Sequence, residues 1–172
     1  SPVTCTVAAP AVRAIAGTLV EKGICAGDHI GVLMENVPQW VFVLLGAMRI
    51  GAVTVPLATA LPENSIQLIA EHAGCKVIFA DDANWEKARL VAGNLKCALL
   101  GPSPAGGGPR AEVFKGAASD TAILIYTSGT TGNPKGVELT LDNLNHEIQG
   151  AAEALQLGPD HRILSVLPFS HV

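Results

Sequence analysis

Residues 126–136 of this chain have the composition of a loop that binds phosphate. The segment reads Tyr-Thr-Ser-Gly-Thr-Thr-Gly-Asn-Pro-Lys-Gly, and it holds four Ser and Thr hydroxyls, three glycines and one lysine. None of the ten residues after Tyr126 is acidic, and none carries an aliphatic side chain larger than that of proline. The preceding residues, 122–126, form a continuous apolar run that predicts a buried strand. The sequence therefore predicts a phosphate-binding loop that begins where this strand ends.

Each residue type in the loop has a role in holding a polyphosphate. Glycine allows positive φ and lets backbone N–H groups approach an anion closely. Hydroxyls donate to phosphate oxygens or ligate a magnesium ion, for which Thr130 is the candidate. Lys135 offers a compact cation where negative charge develops during a reaction, which makes it the candidate catalytic residue. The candidate residues for binding a phosphate-bearing cofactor are Thr127, Ser128, Gly129, Thr130, Thr131, Gly132, Lys135 and Gly136.

Two other interpretations of the loop are open. A Walker A loop requires the pattern G-x-x-x-x-G-K-[ST], and this chain departs from it twice, because Pro134 precedes Lys135 and Gly136 follows it. A Gly- and Thr-rich turn without a ligand is the other alternative. Ten such residues without one acidic side chain favour phosphate binding over a plain solvated turn.

The segment 126–136 resembles, without a break, the signature Tyr-Thr-Ser-Gly-Thr-Thr-Gly-x-Pro-Lys-Gly of the adenylate-forming enzymes. That family includes acyl-CoA synthetases, luciferases and peptide-synthetase adenylation domains. Residues 27–36 and 46–53 are similar to the family's early strand and the buried helix that follows it. Residues 167–172, Leu-Pro-Phe-Ser-His-Val, are similar to the segment that borders the acyl pocket, so the resemblance makes His171 the candidate substrate-binding residue.

The resemblance implies an ATP-dependent acid–thiol ligase. In that reaction a carboxylate attacks the α-phosphorus of ATP, acyl-adenylate and pyrophosphate form, and a thiol then takes the acyl group. Residues 167–171 and 136–140 are most similar to those of long-chain fatty acyl-CoA synthetases. The implied cofactors and partners are therefore ATP, Mg²⁺, coenzyme A and a carboxylic acid, with a fatty acid favoured. The loop would hold the β- and γ-phosphates, and Lys135 would offset the charge of the leaving group.

The length of the chain limits what it is expected to do alone. Its 172 residues make one ordinary domain, whereas members of the resembling family are about three times longer than such a domain. We therefore expect the N-terminal part of the large N-terminal domain of an adenylate-forming enzyme, without the C-terminal domain, and inactive by itself. Two alternatives stay open, a standalone nucleotide-binding module without catalysis and a structural α/β domain.

Composition and charge argue against several other classes of protein. Hydrophobic residues make up 49% of the chain and charged residues 15%, which indicates a well-buried core and argues against disorder. The formal net charge is −4 and the basic residues are scattered, so no nucleic-acid surface is indicated. The apolar run 37–61 is interrupted by Arg49 and two prolines, and no signal peptide is visible. We therefore expect a cytoplasmic protein without a transmembrane segment.

The cysteines and the remaining histidines are expected to have no role in chemistry. The spacing of the cysteines indicates neither a zinc site nor a disulfide framework, so we expect reduced, mostly buried thiols at positions 5, 25, 75 and 97. We expect surface histidines without function at positions 29, 72, 146 and 161.

Apolar runs and helical spacing alternate along the chain, which predicts an α/β fold with a mostly parallel sheet flanked by helices. Predicted helices cover residues 12–22, 38–50, 62–73, 84–92 and 141–157. Predicted strands cover residues 29–34, 53–55, 76–80, 98–100, 121–126, 137–140 and 162–167. The Gly- and Pro-rich segment 101–109 predicts a flexible surface loop inside a single unit of residues 1–172.

Overall fold

The computed structural model describes residues 5–103, 111–127, 134–158, 161, 165 and 167–170. Within these residues the chain forms five α-helices and six strands. The helices are α1 (Cys5–Glu21), α2 (Pro38–Ile50), α3 (Glu63–His72), α4 (Trp85–Leu95) and α5 (Leu141–Ala154). The strands are β1 (His29–Leu33), β2 (Val53–Pro56), β3 (Val77–Ala80), β4 (Ala98–Leu100), β5 (Thr121–Thr127) and β6 (Lys135–Thr140). One 3-10 turn, Asp82–Asn84, precedes α4.

The six strands form one sheet in the order β4-β3-β1-β2-β5-β6. The first five are parallel to their neighbours, whereas β6 runs antiparallel to β5. Parallel neighbours need a crossover connection, and α2, α3 and α4 each provide one between successive strands from β1 to β4. The predicted α/β fold with a mostly parallel sheet is therefore confirmed.

The sheet has an apolar core on each face. On one face, side chains such as Ile30 and Phe79 pack against α1 and α2. On the other face, side chains such as Val55 and Ile78 pack against α3 and α4. Strands that are buried on both faces read as continuous apolar runs, which is why the sequence located these strands within one or two residues.

The bounds of α2 match the sequence prediction at both ends. Pro38 occupies the first turn of the helix, where no backbone N–H is needed. Gly51 ends the helix in the left-handed conformation, with φ +75°. A Cβ at Gly51 would also lie 2.7 Å from the ring of Phe114. Both the conformation and the close packing therefore require glycine at this position.

Three helices differ from their predicted lengths. α1 begins at Cys5 instead of residue 12. α4 continues to Leu95, three residues beyond its predicted end, because Lys96 is the residue that adopts the left-handed conformation there. α5 ends at Ala154, three residues before its predicted end. The apolar spacing identified the most buried part of each helix but not its terminal turns, whose limits apolar spacing alone does not fix.

The three cysteines with described side chains are free thiols and differ in exposure. Cys75 is buried, Cys97 is partly buried and Cys25 is exposed. The prediction of mostly buried thiols is therefore wrong for Cys25, because it lies in the turn between α1 and β1 and packs against neither core.

Two other sequence predictions are only partly tested. Most of the predicted loop 101–109 and of the predicted last strand 162–167 lies outside the described residues. Among the helices that the structure describes, none is both long enough and apolar enough to cross a lipid bilayer.

Candidate functional site

The candidate site lies at the end of the β5–β6 hairpin. Tyr126 pairs with Gly136 and Thr127 pairs with Lys135, so these four residues enclose the seven loop residues 128–134. We call these two residue pairs the loop neck. Because β5 is parallel to β2, the neck lies at the carboxyl edge of the parallel strands. In α/β proteins this edge is the usual place for ligands.

Two of the candidate phosphate-binding residues, Thr127 and Lys135, lie side by side. Residues that pair directly in antiparallel strands project to the same face, with Cβ atoms about 5 Å apart. Both residues are exposed. A hydroxyl donor beside an ammonium group suits the binding of an anion that arrives from solvent.

The other predicted site residues lie outside the part of the chain that the structure describes. They are Ser128, Gly129, Thr130, Thr131, Gly132 and His171. Their roles, including that of Thr130 as a magnesium ligand, stay predictions from the sequence.

Gly136 lies in β6 in extended conformation, so the positive φ expected from the sequence is not observed. Its role in binding phosphate stays a prediction from the sequence. A Cβ at this position would come 2.8 Å from Cδ1 of Leu124 and 3.4 Å from Cζ of Tyr126. Gly136 therefore leaves space for the side chain of Leu124 and for the ring of Tyr126, its paired residue. The described glycines that do adopt positive φ are Gly23, Gly27, Gly51 and Gly74.

Tyr126 also contacts the last residue of α3. Its hydroxyl lies 2.7 Å from Nδ1 of His72. The two rings are 5.6 Å apart between centroids and nearly perpendicular, at 84°. Burial, together with the nearby thiol of Cys75, raises the pKa of the Tyr126 phenol. The phenol is therefore protonated at neutral pH and can donate or accept this hydrogen bond.

The segment that resembles the border of the acyl pocket is held by Asn36, which follows β1. Nδ2 of Asn36 donates to the carbonyl oxygen of Leu167 at 2.6 Å. Oδ1 of Asn36 accepts from the backbone N–H of Phe169 at 2.9 Å. The Phe169 ring packs against Trp40 with the centroids 5.4 Å apart. This segment therefore also lies at the carboxyl edge of the sheet.

Asp81 connects the carboxyl ends of β1 and β3. Its carboxylate is buried, with 9% of the residue exposed. Oδ2 accepts from the backbone N–H of Glu35 at 2.8 Å. Oδ1 accepts from the backbone N–H and the side-chain amide of Asn84, at 3.1 and 2.7 Å. These bonds fix the loop that carries Asn36.

No group of three His, Cys, Asp or Glu side chains that could hold a metal ion is found among the described residues. Magnesium does not need such a group, because it is commonly held by one or two protein oxygens together with substrate phosphates. The hydroxyl at Thr127 is an oxygen donor of the kind that magnesium accepts, so the neck fits a magnesium ion carried mainly by phosphate.

A separate open groove of about 490 Å³ lies between α1 and α2. Apolar side chains such as Val12, Leu45 and Met48 line it, with Arg13 and Arg49 among the other lining residues. It contains none of the predicted site residues. The candidate site is therefore placed at the loop neck.

Nearly the whole chain corresponds to one known family. Residues 3–172 match the family model described as AMP-binding enzyme. The chain belongs to the AMP-binding enzyme family. The long-chain-fatty-acid–CoA ligase FadD15 of Mycobacterium bovis is 32% identical to this AMP-binding chain, over 99% of it and 32% of the relative. The hybrid PKS-NRPS synthetase thnA of Trichoderma harzianum is 32% identical over 93% of this chain and 4% of the relative. The AMP-binding chain thus spans about a third or less of these relatives' lengths.

Solved structures share the fold of this AMP-binding chain. ATP-bound MatB from Rhodopseudomonas palustris aligns with a TM-score of 0.84 and 26% identity, over 96% of this chain and 35% of that one. The resemblance to adenylate-forming enzymes that the sequence indicated is therefore confirmed at the level of family and fold.

The sequence did not predict the residues that support the site in this AMP-binding chain. Asn36 and Leu167 are 131 residues apart, and His72 and Tyr126 are 54 apart. No local pattern connects residues at such distances. The position of Asn36 shortly after β1 and of Asp81 directly after β3 could have indicated a place near the site, because the carboxyl ends of parallel strands share one edge.

Proposed function

We propose that this chain forms the polyphosphate-binding part of an AMP-forming acid–CoA ligase. The pairing of Thr127 with Lys135 across the loop neck carries the proposal. It sets a hydroxyl beside an ammonium group at the base of a Gly- and Thr-rich loop, at the carboxyl edge of the sheet. Membership of the AMP-binding enzyme family and the CoA ligase among its relatives support the reaction class.

In the proposed reaction a carboxylate oxygen attacks the α-phosphorus of ATP, the bond to the oxygen that bridges to the β-phosphorus breaks, and pyrophosphate leaves. The thiol of coenzyme A then attacks the acyl carbonyl, and AMP leaves. Negative charge grows on pyrophosphate as the bond breaks, and the Lys135 ammonium offsets it. The Thr127 hydroxyl and the loop would orient the β- and γ-phosphates. A magnesium ion on the phosphates, with Thr130 as its candidate protein ligand, would supply further positive charge.

We further propose a long-chain fatty acid as the carboxylate. The 32% identity to FadD15 over 99% of the chain supports this choice, as does the Leu-Pro-Phe-Ser segment at 167–170 that Asn36 holds. The hybrid PKS-NRPS synthetase is equally identical over slightly less of the chain. AMP release with long-chain fatty acids and with amino acids as alternative substrates would distinguish them. Faster AMP release with an amino acid would contradict the fatty-acid proposal.

Lys135→Ala is expected to slow adenylation in a protein of the relatives' length that carries these residues. A hydrogen bond to a charged group contributes about 1.5–3 kcal/mol, which corresponds to a loss of roughly 10- to 150-fold in rate. ATP–pyrophosphate exchange measures this step, and the KM for the carboxylic acid should change much less. Lys115→Ala is the matched control, because it removes an exposed lysine from the segment before β5. An exchange rate in Lys135→Ala equal to that of Lys115→Ala would refute the proposed role of the loop neck.

We also propose that the 172-residue chain alone forms no acyl-CoA. The chain spans 32% of the length of FadD15, and the resemblance implies that a C-terminal domain outside these 172 residues contributes to the reaction. Incubation of the purified chain with ATP, magnesium, palmitate and coenzyme A tests this directly. Palmitoyl-CoA detected by mass spectrometry would contradict the proposal.

A further inference from the structure

We propose that His72 is a positioning residue for the phosphate loop, and that it acts by holding the Tyr126 side chain of the loop neck. This inference rests on the proposed function of the loop. The side chain of His72 is hydrogen-bonded to Tyr126, so its effect on the loop passes through Tyr126 to Gly136.

The contact between His72 and Tyr126 has the geometry of a specific interaction. The Nδ1 to hydroxyl distance is 2.7 Å, within the range of a good hydrogen bond. The rings meet edge to face at 84°, an arrangement that aromatic pairs favour. Hydrogen bond and ring contact together fix both the distance and the direction of the Tyr126 side chain.

The other side of the Tyr126 ring borders the strand that leaves the loop. Tyr126 pairs with Gly136, and a Cβ on Gly136 would lie 3.4 Å from Cζ of the ring. The ring therefore spans from α3 to the first residues of β6. Since Thr127 and Lys135 are the next residues on each strand, a displacement of Tyr126 would move both.

The end of α3 is itself attached to the sheet. Nδ1 of His29, the first residue of β1, lies 2.5 Å from the carbonyl oxygen of Ala73, the residue after His72. The backbone N–H of Ala73 also donates a hydrogen bond to the carbonyl oxygen of Ile69 in the last turn of the helix. The contact therefore connects the loop neck to the central strand of the sheet.

The loop neck needs such a support because β6 is an edge strand. Residues 135–138 are all exposed, and β5 is the single strand that pairs with β6 in the described sheet. Edge strands held by one neighbour open more readily than central strands. A shift of about 1 Å in a group that positions a substrate can reduce a rate by about 100-fold. A side-chain contact that limits such a shift can therefore control the rate.

ATP–pyrophosphate exchange in a protein of the relatives' length tests the inference. His72→Ala and Tyr126→Phe should each lower the maximal exchange rate by about tenfold, with little change in the KM for the carboxylic acid. The double variant should lose no more than His72→Ala alone, because both substitutions remove the same hydrogen bond. His72→Asn should retain most of the rate, since asparagine has a hydrogen-bonding atom at the position of Nδ1. Glu71→Ala, an exposed neighbour on α3, is the control and should be unaffected.

A second measurement separates positioning from loss of fold. Hydrogen exchange of residues 121–127 and 135–140 should become faster in His72→Ala, while exchange in β1 and β3 stays as in the parent protein. A maximal rate in His72→Ala within about twofold of the parent would overturn the inference, as would additive losses in the double variant. If Lys135→Ala also has a normal rate of ATP–pyrophosphate exchange, the proposed function has failed. If Lys135→Ala lowers the rate of ATP–pyrophosphate exchange and His72→Ala does not, the positioning role alone has failed.

Discussion

At the scale of single residues, Asp81 combines burial with three hydrogen bonds that it accepts across the carboxyl edge. Its partner Glu35 follows β1, and its partner Asn84 ends the 3-10 turn that precedes α4. The carboxylate therefore joins the segment after β1, which carries Asn36, to the turn after β3.

Asp81→Ala is expected to lower the free energy of unfolding by about 2–4 kcal/mol, because buried N–H groups lose a charged acceptor. Urea unfolding followed by circular dichroism measures this. Asp81→Asn keeps one acceptor oxygen and should lose less. Asp82→Ala is the control, since it removes an exposed carboxylate from the neighbouring position. Equal stabilities of the Asp81→Ala and Asp82→Ala variants would contradict the assignment.

Cys75 is expected to make the protein less stable at alkaline pH. Burial, with a smaller effect of Cys97, raises the pKa of its thiol to about 12. Above about pH 8.5, the ordinary pKa of a thiol, the unfolded chain loses this proton while the folded chain keeps it. The unfolded state then binds fewer protons, so the free energy of unfolding falls with rising pH, by up to about 1.4 kcal/mol per unit.

Urea unfolding at about pH 8.5 and about pH 10.5 tests this effect in the parent chain and in Cys75→Ala. The parent should lose more stability than the variant between the two conditions. Cys25→Ala, which changes an exposed thiol, should behave like the parent. A parent and Cys75→Ala that lose the same amount would show that this thiol is not the cause.

At the scale of elements, α1 and α2 pack closely together at Gly46. A Cβ there would lie 2.7 Å from Cγ2 of Ile15 and 3.2 Å from the carbonyl oxygen of Val12. Gly93 in α4 offers the opposite case, because a Cβ there would meet no atom within 4 Å. The same substitution should therefore have opposite effects in the two helices.

Gly46→Ala is expected to destabilise the fold by about 1–3 kcal/mol, because overpacking separates the two helices. Gly93→Ala is expected to stabilise it by about 0.5–1 kcal/mol, because alanine restricts the unfolded chain and favours the helix. Thermal and urea unfolding of both variants give the two changes. A Gly46→Ala variant as stable as Gly93→Ala would mean that α1 and α2 separate without cost.

The elements were predictable from the sequence wherever their limits depend on neighbouring residues. Pro38 and Gly51 fix the ends of α2 through backbone conformation, and Thr140 caps α5 with Asn143 in a capping box. Contacts between strands determine the edge of the sheet at which β6 pairs. They also determine the pairing of Thr127 with Lys135. The extended conformation of Gly136 was not predictable for the same reason, because its need for space comes from Leu124 and Tyr126 on the partner strand.

At the scale of the whole molecule, no residue of α5 is fully buried, and only Leu141 and Leu144 near its start pack against the apolar side chains of β5 among the described residues. Large apolar side chains are exposed on it and after it, with 66% of Ile148, 65% of Leu155 and 74% of Leu167 accessible. Exposed apolar surface of this kind promotes association. The capping box of Thr140 and Asn143 stabilises the start of α5 as a helix. The exposed apolar side chains of α5 therefore have fixed positions relative to one another.

The 172-residue chain is expected to associate as its concentration rises, and Ile148→Ser with Leu155→Ser should weaken this association. The free energy of unfolding should change by less than about 0.5 kcal/mol, because exposed positions contribute little to it. Sedimentation velocity over a range of concentrations measures the association. Leu90→Ser, which changes an exposed leucine on α4, is the control. If it weakens association as much as the double variant, the α5 surface is not the contact.

The pairing of Thr127 with Lys135 also determines where homologous sequences can differ in length. An insertion within residues 128–134 lengthens the loop and leaves the hydroxyl and the ammonium group opposite each other. A one-residue insertion within β6 instead shifts the register, so that either Lys135 or the side chains after the insertion turn to the opposite face of the hairpin. Natural insertions and deletions should therefore accumulate in the loop and in surface connections, while the spacing from Lys135 to Thr140 stays constant among family members that retain the activity.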